Sequence, residues 1–120
     1  MAPQGFTERI RKILDERAKG KCEKCGLPAT HVQYHHRRPR GMGGSKRANT
    51  NEAGNALVLH FKCHADIESN RKHSLLNGWL VSQHQEPLDV PVLLHYGWVY
   101  RMNDGEAVPQ ELFDGAIRDS

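Results

Sequence analysis

Two pairs of metal-ligating residues, Cys22-x2-Cys25 and His60-x2-Cys63, frame the part of this chain richest in reactive side chains. With them come His35-His36, Gly43-Gly44, Asn55 and His64. A tandem His alone means little. Tandem His, a glycine pair, an Asn and a further His, held between two knuckles, describe a site for metal-assisted hydrolysis of a phosphodiester. The two pairs together offer a tetrahedral Cys3His set, which suits zinc. Gly26, directly after Cys25, fits a knuckle turn whose N–H groups point at thiolate sulfur. Four protein ligands leave no open position for water, so zinc here would be structural. It would contribute folding free energy of order 10 kcal/mol. The competing reading is three free cysteines and a surface His, with His60 the weakest ligand. Zinc is favoured because all three Cys of the chain fall in the two pairs.

Phosphodiester hydrolysis needs a water nucleophile, a group to take its proton, and charge stabilisation on the departing 3′ oxygen. A neutral imidazole can take the proton near pH 7, and His36 fits that role. On a regular strand His35 would face the opposite way, so one of the pair can bind metal while the other faces the water.

These residues need elements to position them. Phe6, Ile10, Ile13 and Leu14 recur at helical spacing and Gly20 can end the segment, which predicts an amphipathic helix over Thr7–Lys19. The stretch His31–His36 reads as a strand with the His pair at its end, and Ala56–Leu59 as a second strand. Residues 37–54 form a polar, Gly- and Arg-rich loop, and a loop of that length in a small domain is usually functional. A helix is expected over His64–Asn77, ended by Gly78; it places His64 and Glu68 on one face, with Arg71 and Leu75 roughly continuing it. Val90–Leu94 and Trp98–Met102 look like strands, and Asn103-Asp104-Gly105 carries hairpin-turn chemistry.

At 120 residues and 38% hydrophobic, the chain reads as one domain, 1–120, with a core over about 20–80 and an extension over about 81–120. A small polar chain often needs a staple, and an odd Cys count cannot close a disulfide framework, so a metal is the expected staple in a reducing cytosol. No apolar run is long enough to span a membrane, and the N-terminus lacks the apolar core of a secretion signal. Net charge is +3, but from Gln85 onward two basic residues face seven acidic ones, a balance of −5, which leaves +8 on the first 84 residues. Between Gly26 and Asn51 there is no acidic residue, while Arg37, Arg38, Arg40, Lys46 and Arg47 gather there. Such a patch suits a polyanion such as DNA, or is a solvated basic loop. The acidic C-terminal region is expected to pack over the core.

The run from Tyr34-His35-His36 through Gly43-Gly44, followed by Asn55-Ala56-Leu57-Val58-Leu59-His60-Phe61-Lys62-Cys63-His64, resembles the HNH endonuclease family. More narrowly it is similar to the small zinc-containing HNH proteins of bacteriophages, over roughly residues 20–80. Three positions depart from the usual family pattern: His35 stands where Asp is commoner, as in the DNase colicins, Ala56 stands for Leu, and His60 for Cys. None removes a chemical function, since His can ligate either kind of metal.

The resemblance implies an α+β fold with a small ββα-metal (His-Me finger) core stapled by the Cys3His zinc site, an N-terminal helix and a C-terminal β-hairpin extension. It implies His36 as general base, and His35 and His64 as ligands of one divalent cation (Mg²⁺, Mn²⁺ or Ni²⁺). Glu68 is then a third ligand, directly or through water, or else a plain surface carboxylate. Asn55 is implied as an orienting residue that braces the loop. Arg37, Arg38, Arg40 and Arg71 are candidates for gripping phosphates, or are solvated side chains. The implied activity is nicking or cutting of double-stranded DNA with low sequence specificity. The implied setting is a host bacterial cytoplasm, with the large subunit of a phage terminase as partner in DNA packaging. A zinc-stapled DNA-binding module without catalysis is the alternative, and an exported bacteriocin-type nuclease domain is a third reading.

Overall fold

The structure, a computed structural model, describes residues 5–40 and 49–111. The described residues form a small α+β fold in which two antiparallel sheets and three α-helices pack around two core clusters. Helix α1 spans Glu8–Ala18. The Thr7 hydroxyl accepts from the Ile10 N–H at 3.3 Å and caps its first turn, and Lys19 and Gly20, at φ 54 and 78, end it in the left-handed region. Ile10, Leu14 and Ala18 form its buried stripe, each Ile or Leu contributing about 1.5–3 kcal/mol of transfer free energy.

Strands β1 (Val32–His36) and β2 (Ala56–His60) pair antiparallel, with His35 opposite Leu57 and His36 opposite Ala56. Period-2 alternation divides their side chains between two faces. Val32, Tyr34, Ala56 and Val58 pack with α1, Phe6 and Ala53. Leu57 and Leu59 face the other way and join Cys22, Cys63 and Ile67 in the second core. Helix α2 (Phe61–Ser69) follows β2 directly and lies on that second face.

The single helix expected over His64–Asn77 is two helices. Helix α2 ends at Ser69 and α3 runs over Arg71–Leu76. The break has a local cause: the Ser69 hydroxyl bonds Ala65 O at 2.8 Å and the Asn70 amide bonds Asp66 O at 3.0 Å, so side chains compete for the carbonyls that a continuing helix would use. Gly78 then turns the chain at φ 75, so close to Pro91 that a Cβ would sit 2.0 Å from its carbonyl oxygen.

Strands β3 (Val92–Leu94), β4 (Gly97–Arg101) and β5 (Ala107–Pro109) form an antiparallel sheet in that order. The turn at Asn103-Asp104-Gly105 joins β4 to β5, a third strand beyond the expected pair. Val92, Leu94 and Val99 enter the same core as Leu57, Leu59 and Cys63, so this part of the acidic region does pack on the rest. Among the described residues no helix is long and apolar enough to cross a membrane.

Candidate metal centres

The first cluster joins a turn before β1 to the β2–α2 junction. The N–H of Cys22 bonds Leu27 O and that of Gly26 bonds Cys22 O, both at 2.8 Å, closing a tight knuckle. Gly26 sits at φ 79 under the His95 ring, 2.8 Å from where a Cβ would stand, so both conformation and space require glycine. His60 Nε2 lies 3.1 Å from Cys25 Sγ and 3.2 Å from Cys63 Sγ, and the ligand atoms of Cys22, Cys25, His60 and Cys63 all lie within 4.8 Å of one another. Tetrahedral zinc with bonds of about 2.3 Å to sulfur and about 2.0 Å to nitrogen would set such atoms about 3.5–3.8 Å apart. The cluster could therefore hold a structural ion such as zinc.

Its electrostatics fit a cation. Burial raises the Cys22 thiol, but N–H groups of Cys25, His60 and Lys24 aimed at its sulfur outweigh that and bring it below the ordinary thiol value. Burial and the neighbouring Cys22 and Cys25 push Cys63 up to about 12. Three thiolates ionise together only around a positive centre. His60 also caps α2 through a 3.4 Å contact from the Cys63 N–H to Nδ1. Coordination through Nε2 would put the ring proton on Nδ1, so metal binding would exchange that long cap for a metal bond.

The second cluster is His35, His64 and Glu68, whose ligand atoms also lie within 4.8 Å of one another. His35 reaches it from β1 and the other two from α2, one turn apart. The His35 ring is 2% exposed and meets His64 edge-on with ring centres 5.0 Å apart. Its Nε2–H donates to the Trp79 carbonyl at 2.7 Å, which leaves the lone pair on Nδ1, 4.0 Å from Glu68 Oε1. Burial lowers the His35 pKa to about 4, so the ring is neutral at pH 7. His64 is the converse: Nδ1–H donates to Gln33 Oε1 at 2.5 Å, which leaves Nε2 free, 3.4 Å from Glu68 Oε1. Each imidazole thus has one nitrogen committed to an oxygen acceptor and the other turned toward the shared carboxylate. Metal-ligating histidines are oriented in this way. Three protein ligands, one of them 60% exposed, leave positions open.

His36 is not part of that cluster. It lies on the α1 face of the hairpin, stacked on Phe6 at 4.1 Å, and its Nε2–H donates to Asn51 Oδ1 at 2.8 Å. Burial holds its pKa below the ordinary imidazole value, the Asn51 bond opposes this, and the charge of Arg40 lowers it further. Asn55 is wholly buried. Its Oδ1 accepts from the Arg38 N–H at 2.7 Å, while its amide donates to Arg38 O at 3.1 Å and to Thr50 O at 2.9 Å. It clasps both ends of the loop, two residues beyond His36.

The expected phosphate-gripping arginines separate sharply. Arg37 is fully buried and donates to the carbonyls of Gly78, Gly54, Pro87 and Val90 at 2.7–3.1 Å. It braces the core where loops converge, and the phosphate role expected of it is corrected accordingly. Arg38 is 4% exposed, with Nη1 bonded to Gln85 O at 2.9 Å and 3.6 Å from Glu86, so it too is turned inward. Arg40 is half-buried near His36. Arg71 is exposed but begins α3, so the helix face that was to align it with His64 is interrupted at Asn70. Gly41, Gly43, Gly44, Lys46 and Arg47 lie outside the described residues.

Sequence reasoning missed four supporting residues. Gln33 sits two positions before His35 on the same strand face, and that period is a signal that could have found it. Asn51 and the Trp79 carbonyl gave none. Glu23 was passed over although it stands inside the first knuckle: it is 3% exposed and binds Arg17 at 2.8 and 3.0 Å, Arg101, and the Val58 N–H at 2.9 Å. No protein-family model matches this chain, and no curated protein or solved structure matches it either.

Proposed function

We propose that the protein is a metal-dependent DNA endonuclease of the HNH type, with β1, β2 and α2 as its ββα-metal core. The observation that carries the reading is the second cluster: His35, His64 and Glu68 each bring a ligand atom within 4.8 Å of the others. Glu68 Oε1 lies 4.0 Å from His35 Nδ1 and 3.4 Å from His64 Nε2, and the remaining imidazole nitrogens are fixed by Trp79 and Gln33. A divalent cation held by these three would act as a Lewis acid toward a phosphate oxygen and stabilise charge on the departing oxygen.

The chain's own groups supply the rest. His36, neutral at pH 7 and with its Nε2–H on Asn51, carries its lone pair on Nδ1, the atom that would take the proton of the attacking water. Asn51 and the Phe6 stack hold that ring, and Asn55 holds the backbone beyond it. The basic balance of the first 84 residues suits duplex DNA as substrate. The resemblance extends the proposal to low-specificity nicking or cutting beside a phage terminase in a host cytoplasm.

One observation favours the second reading, a zinc-stapled DNA-binding module: His36 lies on the opposite hairpin face from His35. A supercoiled-plasmid assay across Mg²⁺, Mn²⁺, Ni²⁺ and Zn²⁺ separates the two. His36→Ala is expected to lower the cleavage rate about 10²–10⁴-fold, the usual worth of a general base. Undiminished cleavage by that variant would remove His36 from the mechanism, and no cleavage by the parent protein would favour the binding module.

A further inference from the structure

Phe61, the first residue of α2, is 71% exposed, and Leu27 on the first knuckle is 61% exposed. Both line one open groove of about 610 Å³, together with Pro28, Ala29, Thr30, His31 and the first-cluster residue His60. Exposed apolar side chains such as Leu76 and Tyr96 are found elsewhere on the surface, but Leu27 and Phe61 line one groove, and it is apolar surface gathered in one place that marks a contact site.

Phe61 also belongs to the stripe of α2 that carries the second metal cluster. Positions 61, 64 and 68 are i, i+3 and i+7 on one helix, so Phe61 sits one turn before His64 on the face that bears His64 and Glu68. The burial pattern agrees: Phe61, Ala65 and Glu68 are exposed and His64 half-buried, whereas Cys63 and Ile67 point into the core. The groove therefore opens within about 5 Å of helix rise from a metal ligand. Its charge is one-sided. No acidic residue lines it, Lys62 follows Phe61, Lys21 pairs with Pro28 across the knuckle, and both lysines are exposed.

We propose that this groove binds one unstacked nucleobase of the DNA strand whose phosphate lies at the His35–His64–Glu68 cluster, with Phe61 as its stacking platform. The inference rests on the nuclease reading above and adds a substrate preference: single-stranded, gapped or otherwise distorted DNA over intact duplex. An aromatic face takes any base, which agrees with low sequence specificity, and the exposed lysines suit the adjoining backbone. A base still stacked in a duplex cannot enter, so the groove rewards DNA in which unstacking is already done.

The test uses the full-length, zinc-loaded protein without added Mg²⁺ or Mn²⁺, so that binding is read apart from cleavage. Oligonucleotides carrying 2-aminopurine, as single strand, gapped duplex and intact duplex, are titrated while fluorescence and anisotropy are followed. Single-stranded and gapped forms are expected to bind more tightly than intact duplex, with a change in 2-aminopurine emission. Phe61→Ala should weaken binding of those two forms about 5- to 100-fold, the range for one base–aromatic stack, and abolish the emission change. Phe61→Trp should retain both. Equal affinity of Phe61→Ala and parent for all three forms would overturn the inference. It falls equally if the variant alters only self-association by sedimentation, which would make the groove a protein contact. Plasmid nicking by the parent, run in parallel, tells the two failures apart: if nicking persists and the Phe61 effect is absent, the base site alone is wrong.

Discussion

The two metal-ligand clusters are built from neighbouring residues yet differ in kind. Cys63 and His64 are adjacent on α2, about 100° apart around its axis. Cys63 turns into the core to complete a closed set of four, whereas His64 turns outward to meet His35 and the exposed Glu68. The first cluster ties a turn before β1 to the β2–α2 junction, residues far apart in sequence, and so organises the chain. The second spans only β1 and α2, which the hairpin and the first cluster already hold together. One ion would be part of the fold, and the other a guest of a finished one.

The sharpest way to break this contrast is to remove the first-cluster ligand that adjoins the second cluster on α2. Cys63→Ser, or stripping with a strong chelator, is expected to abolish the cooperative thermal transition seen by circular dichroism. A structural zinc is worth about 10 kcal/mol, comparable with the whole stability of a small domain of about 5–15 kcal/mol. On the proposed nuclease reading cleavage should disappear with it, because His64 loses its mount. A zinc-free Cys63→Ser protein with an unchanged melting curve would show that the knuckles do not organise the fold. Full cleavage by it would show that they do not position the site.

Smaller, and independent of either ion, is the brace at Arg37. Arg37→Met keeps most of the buried volume but leaves the carbonyls of Gly78, Gly54, Pro87 and Val90 without their donor. Urea denaturation should register a loss of about 3–5 kcal/mol, since buried acceptors stranded by a charged donor are costly and only partly rehydrated. Zinc content should stay at parent level. A loss below about 0.5 kcal/mol would mean that solvent satisfies those carbonyls readily.

Arg37 also marks where the sequence stopped being legible. Ligand pairs three positions apart are local, and β1, β2 and α1 announce themselves by period and caps, so their placement could be read. The convergence of His35, His64 and Glu68 was readable only through resemblance, because the strand and helix meet through tertiary packing. Arg37 and Arg38 read as phosphate grips because an arginine in an acid-free, Gly-rich stretch is usually solvated. Their burial depends on carbonyls 17–53 positions away that no local pattern displays. Glu23 is hidden in the same manner: its partners Arg17 and Arg101 come from α1 and β4. The break at Asn70, by contrast, was written locally in Ser69-Asn70 and was overlooked because the apolar and charged spacing ran on past it.

The finest distinction between the clusters lies in their outer partners, and Gln33 tests it. Its side chain does nothing for the fold that water could not do, being exposed at the strand edge, yet it fixes which nitrogen of His64 is free. Gln33→Ala should leave the melting temperature and zinc content at parent values while weakening Mn²⁺ or Ni²⁺ binding about 10–100-fold by calorimetry, the usual effect of removing an outer-shell partner. Glu68→Ala sets the scale, since losing a ligand should weaken that binding further at equal stability. The comparison is decisive because the two clusters respond oppositely. A change in zinc content would mean that Gln33 supports the knuckles through β1, whereas unchanged Mn²⁺ affinity would mean that His64 is oriented by Glu68 and the helix alone.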